Sequence, residues 1–170
     1  TNLNNLSDIP GIDTITELDL SNNQLTRIPN NAFSFMPNLQ IINLDHNEIA
    51  TIEPLAFNNL KQLQQLFLDH NKLQKISIEL AHLFFLTKLG LANNMIEKIA
   101  TNAFRDLWRL EIVDLSHNRL VGLPDDLFAP LQAHETYKDK FSGMNLTFLD
   151  LSNNGIVHLP LQFFKNLKKV

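Results

Sequence analysis

Residues 39–49 read LQIINLDHNEI, and the same phrase recurs five more times in fixed register. The other copies are ITELDLSNNQL from Ile15, LQQLFLDHNKL from Leu63, LTKLGLANNMI from Leu86, LEIVDLSHNRL from Leu110 and LTFLDLSNNGI from Leu146. All fit L-x-x-L-x-L-x-x-N-x-L, with Ile or Val replacing some leucines. The repeated asparagines, Asn23, Asn47, Asn71, Asn94, Asn118 and Asn154, are spaced by 24, 24, 23, 24 and 36 residues. A period of this size marks stacked repeats. The alternating L-x-L core predicts a short strand with its leucines on one face. One repeat cannot bury that face alone, but a stack makes a continuous core. Neighbouring strands sit about 4.8 Å apart. The bulkier second halves need more room, so the stack bends with the sheet inside. Each asparagine carries one acceptor and two donors, which suits a ladder that satisfies buried backbone groups at the turn after each strand.

On these motifs the chain resembles the leucine-rich-repeat family, in the subclass with repeats of about 24 residues and a Phe in the second half. The second halves read IPNNAFSFM, IEPLAFNNL, IATNAFRDL, LPDDLFAPL and LPLQFFKNL. The resemblance implies an α/β-type repeat solenoid: an arc with a concave parallel β-sheet and a convex side of short helical, 3-10 or extended segments. Phe33, Phe57, Phe104, Phe128 and Phe164 would stack as an aromatic spine. The third repeat departs from this, being one residue short with Leu80 at the Phe position.

We expect a single domain over 1–170. Residues 1–14 read as the remnant of an N-terminal cap, and six repeats start at 15, 39, 63, 86, 110 and 146. The fifth repeat is longer, and the extra residues lie within 132–144. That insertion holds the only Tyr, Tyr137, together with Phe141. It reads equally as a tolerated surface loop or as a partner contact on a rigid scaffold. Val170 falls where a seventh repeat would begin, which suggests truncation at the C-terminus.

Alternation places the non-leucine strand positions on the concave face. The first column holds Glu17, Ile41, Gln65, Lys88, Ile112 and Phe148, and the next holds Asp19, Asn43, Phe67, Gly90, Asp114 and Asp150. Two more follow: Ser21, Asp45, Asp69, Ala92, Ser116 and Ser152, then Asn22, His46, His70, Asn93, His117 and Asn153. Ile41, Phe67, Ile112 and Phe148 are large apolar residues at positions predicted to face water, and a group on one surface suggests a contact patch. Gly90 and Ala92 are expected to leave a notch beside Phe67 where a partner side chain docks. Glu17, Asp19, Asp45, Asp69, Asp114 and Asp150 oppose only Lys88, which favours a partner with basic residues beside its apolar anchor.

The bulk composition removes other classes. Fourteen Lys and Arg against 18 Asp and Glu give a formal charge of −4, so no nucleic-acid partner is expected. No apolar run approaches the length that spans a bilayer, so no membrane insertion is expected. The absence of cysteine favours a reducing compartment. His46, His70 and His117 share a column with acids beside them, and the alternatives are a metal site or polar residues that suit this edge. We favour the second and expect no metal and no cofactor. No nucleophile elbow, phosphate loop or zinc-protease motif is present, so an enzyme is not expected.

The resulting expectation is a protein-binding module. The cysteine-free, Asn-rich composition is similar to leucine-rich-repeat effectors of intracellular bacteria, which implies a host protein or a second effector as partner. It also implies an intracellular location, through secretion into the host cytoplasm. The alternatives are an extracellular receptor or matrix domain and the targeting half of a larger enzyme.

Overall fold

A computed structural model of the chain describes residues 9–104, 106–128 and 146–160. Each L-x-L segment forms a three-residue strand: β1 (Glu17–Asp19), β3 (Ile41–Asn43), β5 (Gln65–Phe67), β7 (Lys88–Gly90), β9 (Ile112–Asp114) and β10 (Phe148–Asp150). They build one parallel sheet in the order β1-β3-β5-β7-β9-β10. Four two-residue strands follow the turns and pair as β2 (Arg27–Ile28) with β4 (Thr51–Ile52), and β6 (Lys75–Ile76) with β8 (Lys98–Ile99). A 3-10 turn at Ile12–Thr14 precedes β1. The architecture is the stacked-coil solenoid expected from the repeat.

The register follows the repeat position by position. Glu17 pairs with Ile41, Ile41 with Gln65, Gln65 with Lys88 and Lys88 with Ile112. The long fifth repeat does not disturb this, because Phe148 still pairs with Ile112. The insertion expected within 132–144, with Tyr137 and Phe141, lies outside the described residues, as do Phe164 and the chain end.

Leucine columns fill the interior. Leu39, Leu63, Leu86 and Leu110 are fully buried, as are Ile42, Leu66, Leu89 and Val113. The asparagine ladder forms as anticipated. Asn71 donates through Nδ2 to the carbonyls of Leu44, Leu68 and Asp69, and its Oδ1 accepts from the Ile49 N–H at 2.9 Å. Asn47, Asn94 and Asn118 repeat the arrangement one coil apart.

The aromatic spine is present in two pieces. Phe33 stacks on Phe57 at 5.9 Å, and Phe104 packs on Phe128 at 5.8 Å. Leu80 is fully buried between them, where the third repeat lacks its Phe.

Candidate functional site on the inner sheet face

The outward positions of the six main strands make one continuous surface. Among the four apolar residues expected to anchor a partner, Phe148 is the most open, with 50% of its surface exposed. Ile41, Phe67 and Ile112 are part-buried. They are part-buried because strands about 4.8 Å apart leave little room for water between neighbouring side chains. The Lys88 ammonium lies 4.8 Å from the centre of the Phe67 ring, a cation–π contact across neighbouring strands.

The acidic residues divide into two groups that the sequence reading treated as one. The chain turns after each strand, and the N–H two residues beyond the strand's last position needs an acceptor. Asp19, Asn43, Asp114 and Asp150 supply it locally, accepting from the N–H groups of Ser21, Asp45, Ser116 and Ser152 at 2.8–3.0 Å. These are short side chains bonding their own backbone two residues on. Phe67 and Gly90 occupy the same position and cannot do this. In their repeats the acceptor comes from the preceding coil: Asp45 Oδ1 takes the Asp69 N–H at 2.7 Å, and Asp69 Oδ1 takes the Ala92 N–H at 2.6 Å.

This exchange corrects the expected notch. A Cβ placed on Gly90 would sit 2.5 Å from Asp69 Oδ2 and 2.9 Å from Oδ1. The space beside Gly90 is therefore filled by the Asp69 carboxylate, and no side chain of a partner can enter it. Gly90 serves the fold here by making room for a neighbour's carboxylate.

Position also sets the charge state. Burial pushes the Asp69 carboxyl up to about 6, assisted by the nearby Asp45 and Asp114 charges and opposed by the Ala92 N–H and Lys88. Burial likewise raises Asp45, against the Asp69 N–H and the charges of His46 and His70. Asp19 and Asp150 are held below the ordinary carboxylate range by hydrogen bonds from Ser21 and Ser152. The rim thus carries firm charge at its two ends and a softer, half-buried pair in the middle.

The column of His46, His70 and His117 has a backbone explanation. These residues have φ of +54°, +55° and +54°, and Asn22, Asn93 and Asn153 in the same column have +56°, +54° and +54°. This left-handed conformation is tolerated best by Gly, Asn, Asp and His among common residues. His46 and His70 stack with ring centres 4.1 Å apart. Among the described residues no group of three or more His, Asp or Glu has the arrangement of a metal site.

The Leucine rich repeat family matches residues 13–73 and 85–134, and a second Leucine Rich Repeat family matches residues 145–167. The chain belongs to the leucine-rich repeat family. Leucine-rich repeat domains are in general binding modules without catalytic activity. Among solved structures, a chain from the crystal structure of a TLR13–ssRNA13 complex is similar over 98% of this chain, with 28% sequence identity and a TM-score of 0.70. The present chain spans 25% of that chain's length.

That leucine-rich repeat neighbour overturns the expectation of no nucleic-acid partner, because it comes from a complex with single-stranded RNA. The physical error was to read a bulk property as a local one. A net charge of −4 disfavours long-range attraction of phosphate. It does not forbid a site where bases stack on aromatic side chains beside a few cations.

Proposed function

We propose that this leucine-rich repeat arc is a binding module that holds a protein ligand on its inner sheet face. Phe148 carries the reading: a large ring, half exposed on a rigid sheet and in register with Ile112, gains most by being covered. Ile41 and Phe67 extend the apolar track, and Asp19, Asp114 and Asp150 line it with negative charge. Asp19 and Asp150, lowered by their hydrogen bonds, are carboxylates near neutral pH as an ordinary Asp is, and that charge steers ligands with Lys or Arg beside their anchor. The cysteine-free composition supports action in a reducing compartment, as for an effector delivered into a host cell that binds a host protein or a second effector.

A second reading is single-stranded RNA on the same arc, favoured by the likeness to the chain from the TLR13–ssRNA13 complex.

The test compares the native chain with a Phe67→Asp/Phe148→Asp double variant, after circular dichroism has shown both folded. Each is used to capture proteins from lysates, and each is titrated with labelled single-stranded RNA. A protein retained by the native chain and lost by the variant supports the first reading. Saturable RNA binding lost in the variant supports the second. Equal behaviour of the two chains in both assays sinks the inner face as the site.

A further inference from the structure

We propose that the outer side of the third repeat is a second docking surface, for a peptide segment carrying an aromatic or branched apolar side chain beside a carboxylate. Pairs of buried leucines frame the same two outward positions in successive repeats: Leu60 and Leu63, Leu83 and Leu86, Leu107 and Leu110. The framed residues are Lys61-Gln62 in the second repeat, Phe84-Phe85 in the third and Trp108-Arg109 in the fourth.

Phe84 and Phe85 are 36% and 41% exposed, and Ile78, earlier in the third repeat, is 60% exposed. The core does not call for these rings, because Leu80, Leu83 and Leu86 already close it. The repeat missing its interior Phe thus carries two on its surface.

The rings are held in place by their neighbours. Phe84 meets Trp108 edge-on at 5.8 Å and His82 at 5.7 Å, and the Arg109 guanidinium lies 4.3 Å over Phe85. The backbone N–H of His82 donates to the buried carboxylate of Asp106 at 3.2 Å, and the imidazole Nδ1 lies 3.6 Å from the same oxygen. His82 lines two hollows of about 590 and 390 Å³, the larger shared with Leu60, Lys61, Phe84 and Phe85, the smaller with Ile78, Ala81 and the buried Asp106. An ordered apolar step between two hollows suits a side chain that anchors a peptide.

Charge selects the occupant. Arg27, Lys72 and Arg119 are each ion-paired to a glutamate of the adjacent coil. Among the described residues Lys61, Lys75, Lys88, Lys98 and Arg109 form no ion pair, and of these Lys61 and Arg109 stand beside the exposed rings. The Arg109 guanidinium lies over the Phe85 ring at 4.3 Å, and a guanidinium can grip a carboxylate by two hydrogen bonds. The cations beside the larger hollow, Lys61 and Arg109, contrast with the acids of the inner face. A nucleic-acid strand fits it less well, because two cations make no continuous track for phosphates and Arg109 occupies a face of Phe85 where a base would stack.

Trp108 is the only tryptophan in the chain and packs against Phe84, so its emission reports this surface. The probes are synthetic peptides with phenylalanine or leucine flanked by glutamates, their counterparts with lysines in place of the glutamates, and a single-stranded RNA oligonucleotide. The glutamate peptides should shift Trp108 emission saturably. Lys61→Glu/Arg109→Glu, which leaves the core intact, should weaken that binding about tenfold or more. Phe67→Asp/Phe148→Asp on the inner face should leave it unchanged, which separates failure here from failure of the function proposed above. The proposal is overturned by no saturable shift with the glutamate peptides, by an equal shift with the lysine peptides or the RNA, or by binding that survives the charge reversal.

Discussion

The turns after β1, β3, β9 and β10 and those after β5 and β7 face the same backbone demand and meet it differently. In the first group a side chain on the strand's last residue caps its own turn. In the second group that position is Phe67 or Gly90, and the cap arrives from the coil before, through Asp45 and Asp69. The difference teaches that a repeat can give up a structural residue and gain a surface residue only if its neighbour compensates. Phe67 can stand at the strand's last position because Asp45 caps the turn in its place. Gly90 is the reverse: its lost side chain makes room for the acceptor and leaves nothing to bind.

The largest expected effect concerns what both groups share. Asn71→Ala removes the acceptor of the buried Ile49 N–H and the donor to three carbonyls. It should cost about 3 kcal/mol or more, read as a fall in the urea midpoint. Asn118→Ala, in the other group, should match it. A large difference between the two would mean that the ladder is not common to both regions.

Next is Gly90→Ala, which drives a Cβ into the Asp69 carboxylate and should cost about 1–3 kcal/mol. In an Asp69→Ala background the same change should cost much less, and the double-mutant cycle measures the coupling. Additive costs would break the borrowed-cap account. In the locally capped group, Asp114→Ala leaves the N–H of buried Ser116 without its acceptor. It should cost about 1 kcal/mol, with no coupling to changes in the coil before it.

The smallest effect is a pH dependence peculiar to the borrowed caps. The Asp69 carboxyl is raised from 3.8 to about 6 in the folded chain, so between those values the folded state holds a proton the unfolded chain has released. Stability should therefore rise as pH falls from 7 through 6 towards 4. Asp45 acts in the same direction, while Asp19 and Asp150 oppose it only near and below 3.8, where their unfolded forms take up protons. Asp69→Asn should flatten the rise in urea midpoint between pH 7 and pH 5. A fall over that range in the native chain would contradict the burial argument.

Sheet, register and ladder were legible in the sequence because every repeat solves the same problem with the same residue type. The spacing of Asn47, Asn71, Asn94 and Asn118 states the coil length, and the flanking leucines state which face is buried. What escaped was the interaction between coils. The notch at Gly90 was read from one residue's missing side chain, whereas the volume belongs to Asp69 one strand away. A signal was present: where the strand's last residue is neither Asp nor Asn, the preceding repeat has Asp two positions further on. The His46, His70 and His117 column was read as polar residues that suit this edge, and the left-handed turn at each of them supplies the backbone reason that composition alone does not reveal. The exclusion of nucleic acid failed because net charge sums over surfaces that a ligand meets one at a time. Phe84 and Phe85 escaped the sequence reading because their exposure is set by their place between the buried Leu83 and Leu86, which apolar composition does not reveal.

The central claim is that a ligand lies on the inner sheet face, and site-specific photo-crosslinking tests it most directly. A photoreactive residue is placed at Gln65 on the inner face, at Glu48 on the flank and at Ile78 on the outer side, and each chain is irradiated with a ligand captured by the native protein. The account predicts that the Gln65 chain crosslinks to it and the Glu48 chain does not. Crosslinking from Glu48 or Ile78 with none from Gln65 would contradict it.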